Sequence, residues 1–112
     1  MHEGAYSALT MRHARHKTAR GRVGRAASLL RLLGDETRLG IIVRLVKNPS
    51  GLYVHELATA LSMSHSAVSH QLGTLEAVGV VEGAREGQMV RYWIADTPAA
   101  AQALRVIKAA LR

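Results

Sequence analysis

Apolar residues recur at helical spacing along most of this chain and at strand spacing near its end. Ala26, Leu29, Leu30 and Leu33 fall at i, i+3, i+4 and i+7, the stripe of an amphipathic helix. Gly34 breaks the run. Asp35 is placed to cap a second helix, with Glu36 in its first turn and Leu39, Ile42, Val43 and Val46 as its apolar face. Asn48-Pro49-Ser50-Gly51 carries turn chemistry. A short third helix of about eight residues follows, with Val54, Leu57, Ala58 and Leu61 on one side. Ser62-Met63 makes a tight link. Ser64 then caps a fourth helix over 65–78 that buries Val68, Leu72 and Leu75.

The period changes from 3.6 to 2 after that helix. A strand starts over Gly79–Gly83. Met89–Ile94 alternates, with Val90, Tyr92 and Ile94 on one face and Met89, Arg91 and Trp93 on the other. Arg85-Glu86-Gly87-Gln88 between them supplies the turn of a β-hairpin. Pro98 suits the first turn of a last helix, capped by Asp96 or Thr97 and striped by Ala100, Ala103, Leu104, Ile107 and Leu111. The expected fold is mainly α, of α+β class, in the order α-α-α-α-β-β-α. Residues 1–20 lack sustained periodicity and read as a flexible basic arm, leaving 21–112 as the folded domain.

A short helix, a tight turn and a second helix with a polar outer face form a helix-turn-helix pattern, and a hairpin directly after it forms a wing. The outer face of the fourth helix carries Ser64, His65, Ser66, Ser69, His70 and Gln71, with Gly73 further on. Hydroxyl, imidazole and amide groups donate and accept at base edges and phosphates without the desolvation cost of a full charge. Gly73 would permit close approach to a backbone. The helix holds no Lys or Arg, so the charge that grips DNA must come from elsewhere.

Charge supports the same partner. The formal net charge is +7, which favours polyanions. Arg12, Arg15, Lys17, Arg20, Arg22 and Arg25 lie within 12–25 with no acidic residue among them. Of these, Arg12, Arg15, Lys17 and Arg20 are expected to contact phosphates from the arm, with Arg85 and Arg91 of the hairpin as the other source of charge. A solvated helical hairpin explains residues 52–78 equally well when they are read alone; the wing and the basic excess weigh against it.

Composition removes other classes. There is no cysteine, so disulfides, thiolate metal sites and thiol redox sensing are excluded within these residues. No apolar run reaches the 18 residues a membrane span needs. The basic start has no apolar segment behind it, which argues against a secretory signal. Its arginine-rich, acid-poor character also fits a transit peptide, but cytoplasm is the expectation. No P-loop, G-x-S-x-G or H-E-x-x-H motif is present, so the chain does not read as an enzyme. Binding to a membrane surface would need bulky apolar residues opposite the arm's arginines, and Leu9 and Met11 alone do not form such a face. Non-specific nucleic-acid or chromatin binding remains the alternative function.

Over residues 26–95 the chain resembles the ArsR/SmtB family of bacterial winged helix-turn-helix repressors. The resemblance rests on the runs Leu33–Ile41, Val54–Ala58, Leu61–Leu72 with Leu75, and Gly87–Tyr92, above all on Ser66-Ala67-Val68-Ser69-His70-Gln71-Leu72. It implies a homodimer joined through first and last helices that holds a palindromic operator in double-stranded DNA. It also implies DNA contacts at His65, Ser66, Ser69 and His70, with wing support from Arg85, Gln88 and Arg91. Dimerisation also follows from the residues, because two apolar helices at the chain ends are hard to bury in so small a monomer.

The effector is where the chain departs from that family. The Cys-Val-Cys run that binds thiophilic metals in many members is Tyr53-Val54-His55 here. The ligand positions of the last helix fall on Asp96, Pro98, Ala109 and Arg112, of which only Asp96 can bind metal, and Asp96 reads instead as a helix cap. His55, beside Glu56, reads as solvent-exposed. His13 and His16 would share one side of a helical arm, and His2 lies beside the first residue. Together they make a candidate nickel or zinc site. Histidines that contact DNA with the rest of the arm, and control by a regulatory partner protein, are the alternatives.

Overall fold

The computed structural model describes residues 21–112. Helix α1 (Gly21–Leu33) is the first described element, with Val23 and Leu30 exposed. Residues 33–112 form one compact unit of α2 (Glu36–Lys47), β1 (Leu52–Tyr53), α3 (Val54–Leu61), α4 (His65–Ala77), β2 (Val81–Glu86), β3 (Met89–Ile94) and α5 (Pro98–Ala110). The order of helices and the hairpin match the expectation. The arm residues Arg12, Arg15, Lys17 and Arg20 and the histidines His2, His13 and His16 lie outside the described residues.

Three of the unit's four helices start at a polar residue whose side chain pairs with a backbone donor of the first turn. The Asp35 carboxylate accepts from the Arg38 amide at 3.0 Å, and Ser64 Oγ accepts from the Ala67 amide at 3.1 Å. At α5 the cap is Thr97, whose Oγ1 accepts from the Ala100 amide at 3.0 Å, with Pro98 in the first turn. Asp96, the other candidate, is exposed. The same Thr97 hydroxyl donates to the Gly79 carbonyl at 2.6 Å. An ionised carboxylate has no proton to give there, so Thr97 also ties α5 to the turn after α4.

The core is aliphatic. Ile41, Ile42 and Leu45 of α2, Leu57 of α3, Val68, Leu72 and Leu75 of α4, and Val80 and Val81 leading into β2 are the largest fully buried side chains. α2 packs on α3, α4 and β3, and α3 packs on α4. The buried stripe of α2 differs from the expected one. Its buried residues are Ile41, Ile42 and Leu45, whereas Val46 is 48% exposed. The helix is apolar at positions 39, 41, 42, 43, 45 and 46, so two stripes of helical spacing compete. One turn before Ile41 and Ile42 stands the half-buried Arg38, where an apolar residue would have marked the buried stripe.

The sheet has three antiparallel strands in the order β1-β3-β2. Strand β1 was not expected, and with two residues it is too short to show a period. It pairs Leu52 with Tyr92 and Tyr53 with Arg91. The hairpin is longer and its turn tighter than the sequence suggested. Strand β2 runs to Glu86, which pairs with Met89, leaving only Gly87-Gln88 as the loop. Gly87 has φ +65° and Gln88 does not share that region, the pattern of a type II′ turn, where glycine at the first loop position avoids Cβ strain. Gly83 faces Tyr92, and a Cβ there would lie 2.6 Å from the ring.

The two stripes of α2 give an expected outcome. Ile42→Ala should cost about 2–5 kcal/mol in urea unfolding, whereas Val46→Ala should cost under about 1 kcal/mol. Equal losses would contradict the burial pattern.

Candidate nucleic-acid interface

The turn between α3 and α4 is held by the backbone. Ser62 adopts a left-handed conformation at φ 54°, ψ 46°, the Met63 amide donates to the Ala58 carbonyl at 3.0 Å, and the Ser62 amide to the Thr59 carbonyl at 3.2 Å. This is a Schellman termination, and Ser64 caps α4 two residues later. At about 100° per residue, Val68, Leu72 and Leu75 occupy an arc of about 60°, while His65, Ser66, Ser69 and His70 span a separate arc of about 140°. The first three are fully buried and the latter four exposed. Gly73 lies within the exposed arc with open space around it. The core thus determines which side of α4 is presented.

Besides the Ser64 cap, two of the predicted site residues are fastened to other elements of the molecule. Gln71 Oε1 accepts from Arg38 Nη1 at 2.9 Å, a bond that links α2 to α4, and Arg38 also lies 3.8 Å from the Asp35 carboxylate. Arg91 donates from Nε to Glu86 Oε2 at 2.7 Å and from Nη1 to the Ser50 carbonyl, and its guanidinium stands 5.1 Å from the centroid of the Trp93 ring. Arg85 and Gln88 are exposed at the tip of the wing.

Sequence reasoning missed Tyr53 and Glu86. The Tyr53 hydroxyl donates to Glu86 Oε1 at 2.7 Å, while the Tyr53 amide donates to Glu56 Oε1 at 2.8 Å across the start of α3. The Tyr53 ring also stacks on His55, centroids 5.7 Å apart. Glu86 therefore accepts hydrogen bonds from two elements, Tyr53 at the head of α3 and Arg91 on β3. Those two hydrogen bonds, the Tyr53 one foremost, hold its carboxyl below the usual Glu value. The accepting Glu86 carboxylate raises the Tyr53 phenol in turn. At the other side of the sheet, the Tyr92 hydroxyl donates to Glu76 of α4 at 3.2 Å, and partial burial followed by the Glu76 charge raises its phenol. The only signal for the Glu86 contacts would have been the exact hairpin register together with a two-residue strand at Tyr53.

Among the described residues, no group of three or more His, Cys, Asp or Glu side chains is placed to hold a metal. No helix there is long and apolar enough to cross a membrane.

A capped helix pair with an exposed polar face on its second member, followed by a three-stranded wing, defines a winged helix-turn-helix protein. The family model described as "Bacterial regulatory protein, arsR family" matches residues 35–82, from the cap of α2 into β2. The chain belongs to that family. It is 44% identical over 71 residues to the HTH-type transcriptional regulator NmtR of Mycobacterium tuberculosis, a match covering 63% of this chain and 58% of that one. Among solved structures, the AntR antimony-specific transcriptional repressor superposes with a TM-score of 0.69 at 32% identity, over 80% of this chain and 76% of that one. The homodimeric winged helix-turn-helix DNA-binding domain of a possible ArsR-family regulator from Mycobacterium bovis gives 0.62 at 27%, over 80% and 77%. The chain matches little more than half the length of the first curated relatives, 58% and 51% of them.

The lowered Glu86 carboxyl has a signed consequence. A group whose folded value lies below its unfolded one stabilises fully above the unfolded value and loses that contribution as pH falls through the folded one. The stability difference between wild type and Glu86→Gln should be constant above about pH 5.5 and shrink on acidification below about pH 4.5. Urea unfolding across this range checks it. A difference that grows on acidification would contradict the assignment.

Proposed function

We propose that this chain is a sequence-specific DNA-binding transcriptional regulator, a repressor that holds a palindromic operator as a homodimer. The observation that carries the reading is the exposed polar arc of α4, turned outward by a buried stripe on the same helix, beside a wing with Arg85 and Gln88 at its tip. His65, Ser66, Ser69 and His70, with Ser64 at the helix start, read base edges in the major groove. Gln71 and Arg91 act from behind this face, through the elements they fasten. Arg12, Arg15, Lys17 and Arg20 supply phosphate contacts from the arm.

The dimer is supported by the homodimeric Mycobacterium bovis domain of the same fold and by apolar side chains left open at both ends of the chain. Val23 is 81% exposed and Leu30 57% on α1, and Leu111 is 65% exposed just after α5. A twofold pair would set its two α4 helices about one DNA turn apart.

The proposed effector is nickel or zinc held by His2, His13 and His16, with a regulatory partner protein as the rival control. Metal titration of wild type and of the His2/His13/His16→Ala variant separates them, because a site on the arm loses its stoichiometric metal in the variant. Unchanged stoichiometry would remove it.

Gel shifts against the promoter of the protein's own gene and a random duplex, at fixed salt, test the main reading. Wild type should prefer the operator by about 10³-fold or more. Ser69→Ala with His70→Ala should lower that preference more than random-duplex affinity. Replacing Arg12, Arg15 and Lys17 should weaken both alike and flatten the salt dependence. Equal affinity for any duplex or for RNA would favour the non-specific alternative.

A further inference from the structure

The wing carries two arginines that are used differently. Arg85 is exposed, whereas Arg91 meets Glu86, the Ser50 carbonyl and the Trp93 ring. Glu86 is the point where these contacts converge, because its second oxygen takes the Tyr53 hydroxyl. The two strands of the hairpin and a residue distant in sequence meet at one carboxylate: Glu86 ends β2 beside the wing's loop, Arg91 lies on β3 five residues on, and Tyr53, just before α3, lies 33 residues away. An isolated exposed ion pair contributes little to stability, but a network whose members each hold several partners fixes geometry.

Resting on the DNA-binding reading above, we infer that Glu86 is a specificity-determining positioning residue. It fastens the wing to the start of the helix-turn-helix through Tyr53, and it occupies Arg91 so that this cation does not serve as a phosphate contact on any duplex. Both consequences favour the operator. A wing held in one place relative to α4 contacts the backbone only when α4 is in register with its bases. A neutralised Arg91 lowers the affinity common to all sequences, which is set by the number of phosphates neutralised. A carboxylate this near a polyanion weakens binding to every duplex, and its place on the wing fits selectivity better than grip.

The two roles separate by substitution. Glu86→Gln keeps the shape of the side chain but removes the charge that holds Arg91. Tyr53→Phe keeps every charge and removes only the link to α3. Glu82→Gln takes one negative charge from an exposed site on the same strand and serves as the control for net charge. Each is measured by fluorescence anisotropy on operator and random duplexes from 50 to 300 mM salt, with circular dichroism and urea unfolding to establish that the variant folds.

Glu86→Gln should bind the random duplex about threefold or more tighter than wild type, and its log affinity against log salt should steepen by about one to two per dimer. Its operator-to-random ratio should fall about tenfold. Tyr53→Phe should lose several-fold in that ratio with the random-duplex salt slope unchanged. In an Arg91→Met background, Glu86→Gln should give no further steepening. The inference is overturned if Glu82→Gln reproduces the Glu86→Gln rise, or if Glu86→Gln leaves both slope and ratio at wild-type values. Wild type that binds every duplex alike contradicts the operator reading and the specificity role together. In that case the slope comparison between Glu86→Gln and Glu82→Gln still decides whether Glu86 withholds Arg91 from phosphate.

Discussion

The packing of α2 against α4 is the constraint on which the rest depends. Ile41, Ile42 and Leu45 on one helix and Val68, Leu72 and Leu75 on the other are fully buried, and burial of this kind is the main stabilising contribution in a domain with few aromatic residues. A helix buried along one stripe can show only its remaining surface. Rotating α4 by one residue would bring Ser69 and Glu76, or Gln71 and Thr74, into the core in place of Val68, Leu72 and Leu75. The exposed arc of His65, Ser66, Ser69 and His70 is therefore a consequence of the core. The Arg38–Gln71 hydrogen bond sits at the edge of the same contact and pins the helix polar side to polar side.

The wing is positioned by polar contacts where the helix pair is positioned by apolar ones. Glu86 joins it to Tyr53 before α3, and Tyr92 joins it to Glu76 on α4. One strand pair thus has a hydrogen bond to each helix of the helix-turn-helix. Most of these groups are partly exposed, so each bond is individually modest. Their value lies in holding the hairpin tip at one distance from the presented face of α4.

Much of this was legible in the sequence. Asp35, Ser64 and Pro98 announced three helices through capping chemistry, which is local. The change of period after residue 78 announced the hairpin. The polar arc of α4 followed from the spacing of Val68, Leu72 and Leu75. What was not legible depended on partners distant in the chain. The stripe of α2 was misphased because two apolar stripes compete along it, and the position one turn before the buried one is Arg38, which hydrogen-bonds Gln71, 33 residues away. Of the two caps open in the sequence, Asp96 and Thr97, the structure uses Thr97, whose hydroxyl also donates to the Gly79 carbonyl 18 residues away. Strand β1 exists only through its pairing with β3. Arg91 reads in sequence as a free wing cation, and its partners Glu86 and Ser50 appear only when the hairpin and the preceding loop are folded together.

The central claim is that the outward arc of α4 and the tip of the wing face a duplex at the same time. Backbone amide chemical-shift mapping by NMR, with the duplex from the protein's own promoter added in steps at fixed salt, tests it most directly. The account predicts the largest shifts at residues 64–70 and 85–88, with the buried stripe of α2 little changed. Shifts confined to other surfaces, with 64–70 unmoved at saturation, would contradict it.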